Sequence, residues 1–241
     1  MKNVFITGIS SGLGYALTAA YLDRNWQVFG VSRRTPENLA KHPHFRFCSL
    51  DLRQHSYTGP VLKGLLANVE KLDLAILNAG IASRFDDLSN VPLDDLKDVM
   101  DVNVWANKTV IDHLYADDRI VKQIVTMSSG ASILGNRGWA GYSLSKATLN
   151  MLTKLYAQEY TDTHFCAFAP GVIETPMAEQ LCKQLSDDQR FFAIEAFCAK
   201  RNTPAMLTPK QAAEKILHAI EQLPILVESG EFTDIRSLPG V

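Results

Sequence analysis

Short apolar runs alternate with helical spacing along nearly the whole chain. The first run, at 4–6, closes on Thr7-Gly8, and a helical pattern follows over about 13–25. Further apolar runs stand at 28–31, 45–50 and 74–77, with helical spacing over 57–69 between the last two. The rhythm continues with a helix over 93–110, a strand over 120–127, a long helix over 142–160 and a strand over 163–169 closed by Pro170-Gly171. Residues 176–206 are polar helical pieces. A helix at 210–222 follows, with Thr208 as its N-cap and Pro209 near its start, and 225–227 reads as the last strand. Continuous apolar strands alternating with helices indicate a parallel sheet covered on both faces. The expected fold class is α/β: a single Rossmann-type, doubly wound domain over 1–241 with about seven mostly parallel strands. The stretch 176–206, between a strand and a late helix, is a candidate lid over a substrate.

Composition narrows the function classes. Hydrophobic residues make up 46% of the 241, enough for a sizeable core. The formal net charge is -2, so no overall positive field draws a nucleic acid. No apolar run reaches the length of a membrane span, and Lys2 leads directly into VFITG without the pattern of a secretory leader. A cytoplasmic location is expected, with neither membrane nor nucleic acid as partner. Cys48, Cys166, Cys182 and Cys198 form no CxxC pair, and the histidines are scattered. No metal site is expected, and nothing calls for an oxidising compartment.

The turn after the first strand reads Gly8-Ile9-Ser10-Ser11-Gly12-Leu13-Gly14. Its glycines permit a tight turn and close backbone approach to a pyrophosphate, and the helix behind it points free N–H groups at that anion. The spacing is G-x-x-x-G-x-G rather than G-x-G-x-x-G, and no Gly-Lys-Ser/Thr of a P-loop follows. After the second strand stand Ser32-Arg33-Arg34, where an NAD site usually carries a carboxylate. Two guanidinium groups suit a 2'-phosphate instead, with Arg33 the stronger candidate because it comes first. Asp51-Leu52, after the third strand, either borders an adenine or, through Asp51, caps the next helix. Asn78 is placed to tie neighbouring strands together, and Ala79 and Gly80 to present bare backbone to a nucleotide.

The candidate chemistry lies on the long helix. Tyr142 and Lys146 are at i and i+4, on one helical face. A cation beside a phenol lowers its pKa, and a poised phenol can protonate a carbonyl oxygen as hydride reaches the carbon. The strand over 120–127 runs into Ser128-Ser129, at the edge where open sheets bind ligands, so Ser129 is the candidate partner of the substrate oxygen. Ser128 is expected to satisfy local backbone. Asn103, in an apolar helical stretch, needs a partner: it either bends the helix through its backbone or holds a water near Lys146. A serine-hydrolase reading fails for want of a G-x-S-x-G elbow.

Taken together, TGISSGLG at 7–14, DL at 51–52, NAG at 78–80, Asn103, Ser129, YSLSK at 142–146 and PGVIET at 170–175 resemble the classical short-chain dehydrogenase/reductase family over nearly the whole chain. Tyr142 lies 13 residues beyond Ser129, an interval usual in that family. The resemblance implies a catalytic set of Asn103, Ser129, Tyr142 and Lys146, with NADP(H) as cofactor and hydride transfer at its B face. It also implies Lys146 at the nicotinamide ribose, Pro170, Gly171 and Val172 beside the nicotinamide, and Thr175 at its carboxamide or the pyrophosphate. It further implies a homodimer or homotetramer. The string 228–236 is similar to the tail of the sepiapterin reductase and bacterial benzil reductase group, which implies a small carbonyl substrate such as a vicinal diketone. Phe191, Phe192, Phe197, Met206 and Trp139 are candidates for the substrate wall, or else for local packing. Other readings stand beside carbonyl reduction: a 3-oxoacyl-acyl-carrier-protein reductase, a non-catalytic NADP(H) sensor on the same fold, and a sugar-nucleotide epimerase or dehydratase, which normally wants a larger substrate region than 241 residues provide.

Overall fold

The computed structural model describes residues 1–82, 84–185 and 189–240, without the side chain of residue 185. Seven strands form one sheet: β1 (Asn3–Thr7), β2 (Gln27–Ser32), β3 (Phe45–Ser49), β4 (Leu74–Leu77), β5 (Gln123–Met127), β6 (His164–Ala169) and β7 (Phe232–Asp234). Every pairing is parallel, in the order β3-β2-β1-β4-β5-β6-β7. The chain winds outward from β1 in one direction, then returns to β4 on its other side. That reversal opens a crevice at the carboxyl ends of the central strands.

The helices are α1 (Gly12–Asp23), α2 (His55–Leu65), α3 (Leu93–Met100), α4 (Ala106–Leu114), α5 (Ala131–Leu134), α6 (Ala140–Glu159), α7 (Pro176–Leu185), α8 (Phe192–Cys198) and α9 (Pro209–Leu226). One face of the sheet buries Leu17 and Tyr21 of α1 against Ile216 and Ile220 of α9. The other buries Leu62 of α2, Val110 and Ile111 of α4, and Tyr156 of α6. The buried side chains of β1, β4 and β5 account for the apolar runs, since a central strand has core on both sides. Among the described residues, no helix is long and apolar enough to cross a membrane.

Two local features depart from the expected elements. Residues 225–227 are not a strand: α9 continues to Leu226 through Pro224, and Val227 N–H closes onto the Leu223 carbonyl. Leu223 is fully buried, so core packing outweighs the apolar run and the proline. The edge strand comes later, at Phe232–Asp234. Between α3 and α4, residues Asp101–Trp105 form a π-helical turn, an irregularity common at functional sites.

Thr208 caps α9 through a reciprocal pair: its Oγ1 accepts from Gln211 N–H at 3.3 Å, and Gln211 Oε1 accepts from Thr208 N–H at 3.1 Å. Thr208→Ala is expected to lower stability by about 1 kcal/mol, seen as a lower urea midpoint with an unchanged slope.

Candidate active site

A cleft of about 370 Å³ crosses the carboxyl edge of the sheet. It begins at Arg33 and Arg34, passes the β1–α1 turn, and ends between Ser129, Tyr142 and Trp139. The turn requires its glycines. Gly8 (φ +74°) and Gly12 (φ +57°) are left-handed, and a Cβ on Gly8 would lie 2.8 Å from the Ala79 Cα. A Cβ on Gly14 would meet the Gly8 carbonyl oxygen at 2.2 Å. Asn78 holds this turn to β4: its Nδ2 donates to the Thr7 and Gly8 carbonyls at 3.1 and 3.3 Å. Thr7 Oγ1 accepts from Ala79 N–H at 2.9 Å. The expected strand-tying role of Asn78 is thus what the structure contains. Ser10, Ser11, Leu13, Ala79 and Gly80 also line the cleft.

Arg33 and Arg34 are exposed at one end. Asp51 and Leu52 stand beside them, and Asp51 Oδ1 accepts from Arg53 N–H at 3.1 Å. The N-cap of α2 is Gln54, so Asp51 forms its own turn on the cleft instead of capping that helix. Arg53 also lines this end, a residue the sequence did not single out. Its guanidinium is bidentate to Asp98, at 2.8 and 3.1 Å.

At the other end, α6 grips the end of β5 one residue at a time. Thr153 Oγ1 bonds Thr126 Oγ1 at 2.7 Å, and Lys146 Nζ donates to the Met127 carbonyl at 2.7 Å. Ser128 Oγ donates to Asn150 Oδ1 at 2.5 Å, and the Ser129 hydroxyl bonds the Tyr142 phenol. Tyr142, Lys146 and Asn150 are spaced four apart on one helical face. Asn150 Nδ2 also donates to Ser132 Oγ at 2.9 Å, bracing the loop that carries Ser129. Ser128 therefore bonds a side chain on α6, not the local backbone expected of it. Asn150, missed in the sequence, was marked by its place one turn beyond Lys146.

Burial decides the titration here. It pushes the Tyr142 phenol above its ordinary value, opposed by the Ser129 bond. The expected lowering by Lys146 does not govern. The ammonium lies 5.7 Å from the phenol ring centroid, and desolvation brings Lys146 itself down to about 8.

Asn103 is fully buried behind the cleft. Its Nδ2 donates to the Ile81 carbonyl and to Ser145 Oγ at 2.9 and 3.0 Å, while its Oδ1 accepts from Ile81 N–H at 2.8 Å. The Asn103 carbonyl accepts from Asn107 Nδ2 at 2.7 Å. The Asn103 amide thus clamps the segment following Gly80 to α6.

Pro170, Gly171 and Thr175 line the cleft. Val172 does not: its carbonyl accepts from Leu207 N–H at 3.2 Å, as the neighbouring Ile173 pairs with Leu207. Among the expected wall residues, Trp139 and Phe197 face the cleft. The Trp139 ring lies 5.1 Å from Phe85, 5.8 Å from Tyr142 and 5.9 Å from Phe197. Phe191 is buried beside Gly138, Phe192 is 76% exposed and Met206 is buried outside the cleft lining. Phe191, the N-cap of α8, packs inward, whereas Phe192, the first residue of that helix, faces solvent.

The family model for short chain dehydrogenase matches residues 2–186. A benzil reductase ((S)-benzoin forming) of Bacillus cereus is 27% identical, covering 92% of this chain and 94% of its own. Its namesake in Bacillus subtilis is 26% identical, with 98% and 99% covered. The crystal structure of the YIR035C short chain dehydrogenase/reductase of Saccharomyces cerevisiae superposes with a TM-score of 0.86 at 20% identity, covering 99% of this chain and 97% of that one. A structure of ElxO with NADP bound gives 0.78 at 20% identity, covering 97% and 96%. The chain belongs to the short chain dehydrogenase family and is an oxidoreductase.

Gly14→Ala forces a methyl group into the Gly8 carbonyl and the Asn78 amide. It is expected to cost about 1–3 kcal/mol, measured by denaturant unfolding without any ligand.

Proposed function

We propose that this protein is an NADPH-dependent carbonyl reductase acting on small ketones, diketones or aldehydes, with Tyr142 as proton donor. The observation that carries the reading is the hydroxyl pair Ser129–Tyr142 beside a buried Lys146, at one end of a cleft whose other end carries two exposed guanidinium groups. The cleft fits a dinucleotide phosphate. Its floor is bare backbone at Gly8 and Gly14, where no side chain can stand, and the first turn of α1 offers N–H groups to a pyrophosphate. Gly12, Leu13, Ser10 and Ser11 complete that cradle. Arg33, seconded by Arg34, takes the 2'-phosphate. Asp51 and Leu52 would border the adenine, Ala79 and Gly80 would face the ribose, and Pro170, Gly171 and Thr175, which line the same cleft, would hold the nicotinamide. Val172 keeps its neighbours in place through its carbonyl. When bound, the cofactor supplies the hydride.

The chain's residues supply the proton and the orientation. Tyr142 Oη releases its proton to the substrate oxygen, and Ser129 Oγ, its present partner, steadies the charge that grows there. The Lys146 ammonium favours the phenolate left behind, an effect strengthened where water is excluded. Asn103 acts from behind by fixing Ile81 and Ser145. The Phe85–Trp139–Phe197 wall favours a compact apolar or aromatic carbonyl over a long acyl thioester.

The reading includes a cytoplasmic setting and a homodimer or homotetramer. Leu144, Met151 and Leu155 of α6 and Trp105 beside α4 are exposed apolar positions that support self-association. The segment 176–206 is taken as the substrate lid of one domain spanning 1–241.

Tyr142→Phe should lower turnover by about 10²–10⁴-fold while NADPH still binds, followed by cofactor fluorescence. Near-normal turnover removes the proton-donor assignment, and a wild type that binds NADPH but reduces no carbonyl supports the sensor reading. Arg33→Ala should weaken NADPH by about 10–100-fold and NADH far less, so equal losses remove its phosphate role. The reduction rate should decline as pH rises through about 8, because deprotonating Lys146 removes the cation that stabilises the departing phenolate. Any activity remaining in Lys146→Met should lack that inflection.

A further inference from the structure

Leu181 of α7 and Phe197 of α8 both line the apolar end of the cleft, and in each case the next residue is a cysteine. Cys182 and Cys198 are joined as a disulfide, with Cα atoms 5.5 Å apart. The bond therefore couples two wall residues contributed by separate helices. Among the described residues, the two helices also share a small apolar core. Their own core is a small cluster of three buried residues, Leu181, Phe191 and Ile194, with Phe85, Trp139, Phe197 and Cys198 packed around it. Cys182 is 6% exposed, whereas Cys198 is partly open to solvent. Cys198 is therefore the more accessible of the two residues. Cys48 and Cys166 remain thiols, and burial pushes Cys166 up to about 12, so its thiolate is suppressed.

We propose that Cys182 and Cys198 form a reversible thiol–disulfide exchange site that sets the order of the substrate wall, its co-reactant being a small-molecule thiol and the corresponding disulfide. The proposal rests on the carbonyl-reductase reading for its effect on turnover, but not for the exchange itself. In the oxidising direction, the Cys198 thiolate attacks one sulfur of the small disulfide and expels a thiolate, giving a mixed disulfide. Cys182, as thiolate, then attacks Cys198 Sγ and expels the second thiolate. Two protein thiols lose two electrons and two protons, the small disulfide gains them, and two small thiols leave. Reduction runs the same steps backwards. In a cytosolic setting disulfides are usually transient or redox-sensing, which suits a bond placed at a pocket wall. The bonded form holds Leu181 and Phe197 in register before substrate arrives, so less ordering is lost on binding and the KM falls.

The test poises the whole enzyme in reduced or oxidised glutathione. Free-thiol titration after acid quench and unfolding, which exposes the buried Cys166, should give four thiols in the reduced state and two in the oxidised one. The KM for benzil as probe should be about threefold or more higher in the reduced enzyme, while the NADPH Kd changes less than about twofold. Cys198→Ser should show the reduced-state KM in both buffers. Four thiols in the oxidised buffer, equal KM values in the two states, or a variant that still responds would each overturn the proposal. If no carbonyl is reduced in either state, the reductase reading alone falls. The exchange site is then judged by tryptic cleavage at exposed Lys183, expected to be about fivefold or more faster after reduction, and equal rates would overturn it.

Discussion

The grip of α6 on the end of β5 is the constraint from which the rest of the site follows. Four consecutive residues, Thr126 to Ser129, each meet a partner on α6: Thr153, Lys146, Asn150 and Tyr142. A strand end is ordinarily where order is lost, since its last carbonyls and side chains leave the ladder. Here the helix satisfies them, and the hydroxyl of Ser129 is held beside the phenol by packing and hydrogen bonding at every preceding step. Asn103 adds a second clamp, fixing Ile81 against Ser145 on the same helix. The strand ends of β4 and β5 are thereby referenced to a single rigid element, which is the kind of support a reacting group needs.

The same grip carries an electrostatic consequence. Lys146 is held where desolvation disfavours its charge, and its proton is retained near neutrality with the Met127 carbonyl as acceptor. Placing a cation there destabilises the fold. Its folded value is depressed, so the unfolded chain binds more protons between about 8 and the ordinary lysine range, and stability rises with pH across that window. The penalty is fully present below it. A fold that tolerates this at neutral pH keeps a strained charge at the phenol, as expected where chemistry rather than stability sets the residue.

What the sequence disclosed was what is local. The glycine turn, the i, i+4 pair and the strand-end serines lie within short stretches whose geometry follows from one element, and the alternation of apolar runs with helices dictated the parallel sheet. What it hid depended on contacts between distant segments. The direction of the Tyr142 shift turns on burial, which spacing does not reveal. The pairing of Cys182 with Cys198 arises because α7 and α8 fold against each other. The edge strand was misplaced because Leu223 is claimed by the core, carrying α9 through a proline that would end an exposed helix. The pairing of the Val172 carbonyl with Leu207 N–H likewise joins segments far apart in the chain.

The two sides of the cleft therefore differ in kind. The floor is sheet edge and glycine backbone, anchored in the two large cores on either face. The wall from α7 and α8 has its own small core, and its contacts with the floor among the described residues include Phe191 against Gly138, Phe197 against Trp139, and Arg190 toward Asp87, which also receives Arg137. Exposed ion pairs of that sort contribute little stability, so the apolar contacts carry most of this docking. A dinucleotide needs the invariant floor, since its phosphates read backbone N–H groups that must not move. On the proposed reading a carbonyl substrate would meet the wall, whose side chains would then help to distinguish one ketone from another. On that reading, separating the two would let substrate preference change with Phe85, Trp139, Leu181 and Phe197, which line the cleft, while the hydroxyl pair and the glycine turn stay fixed.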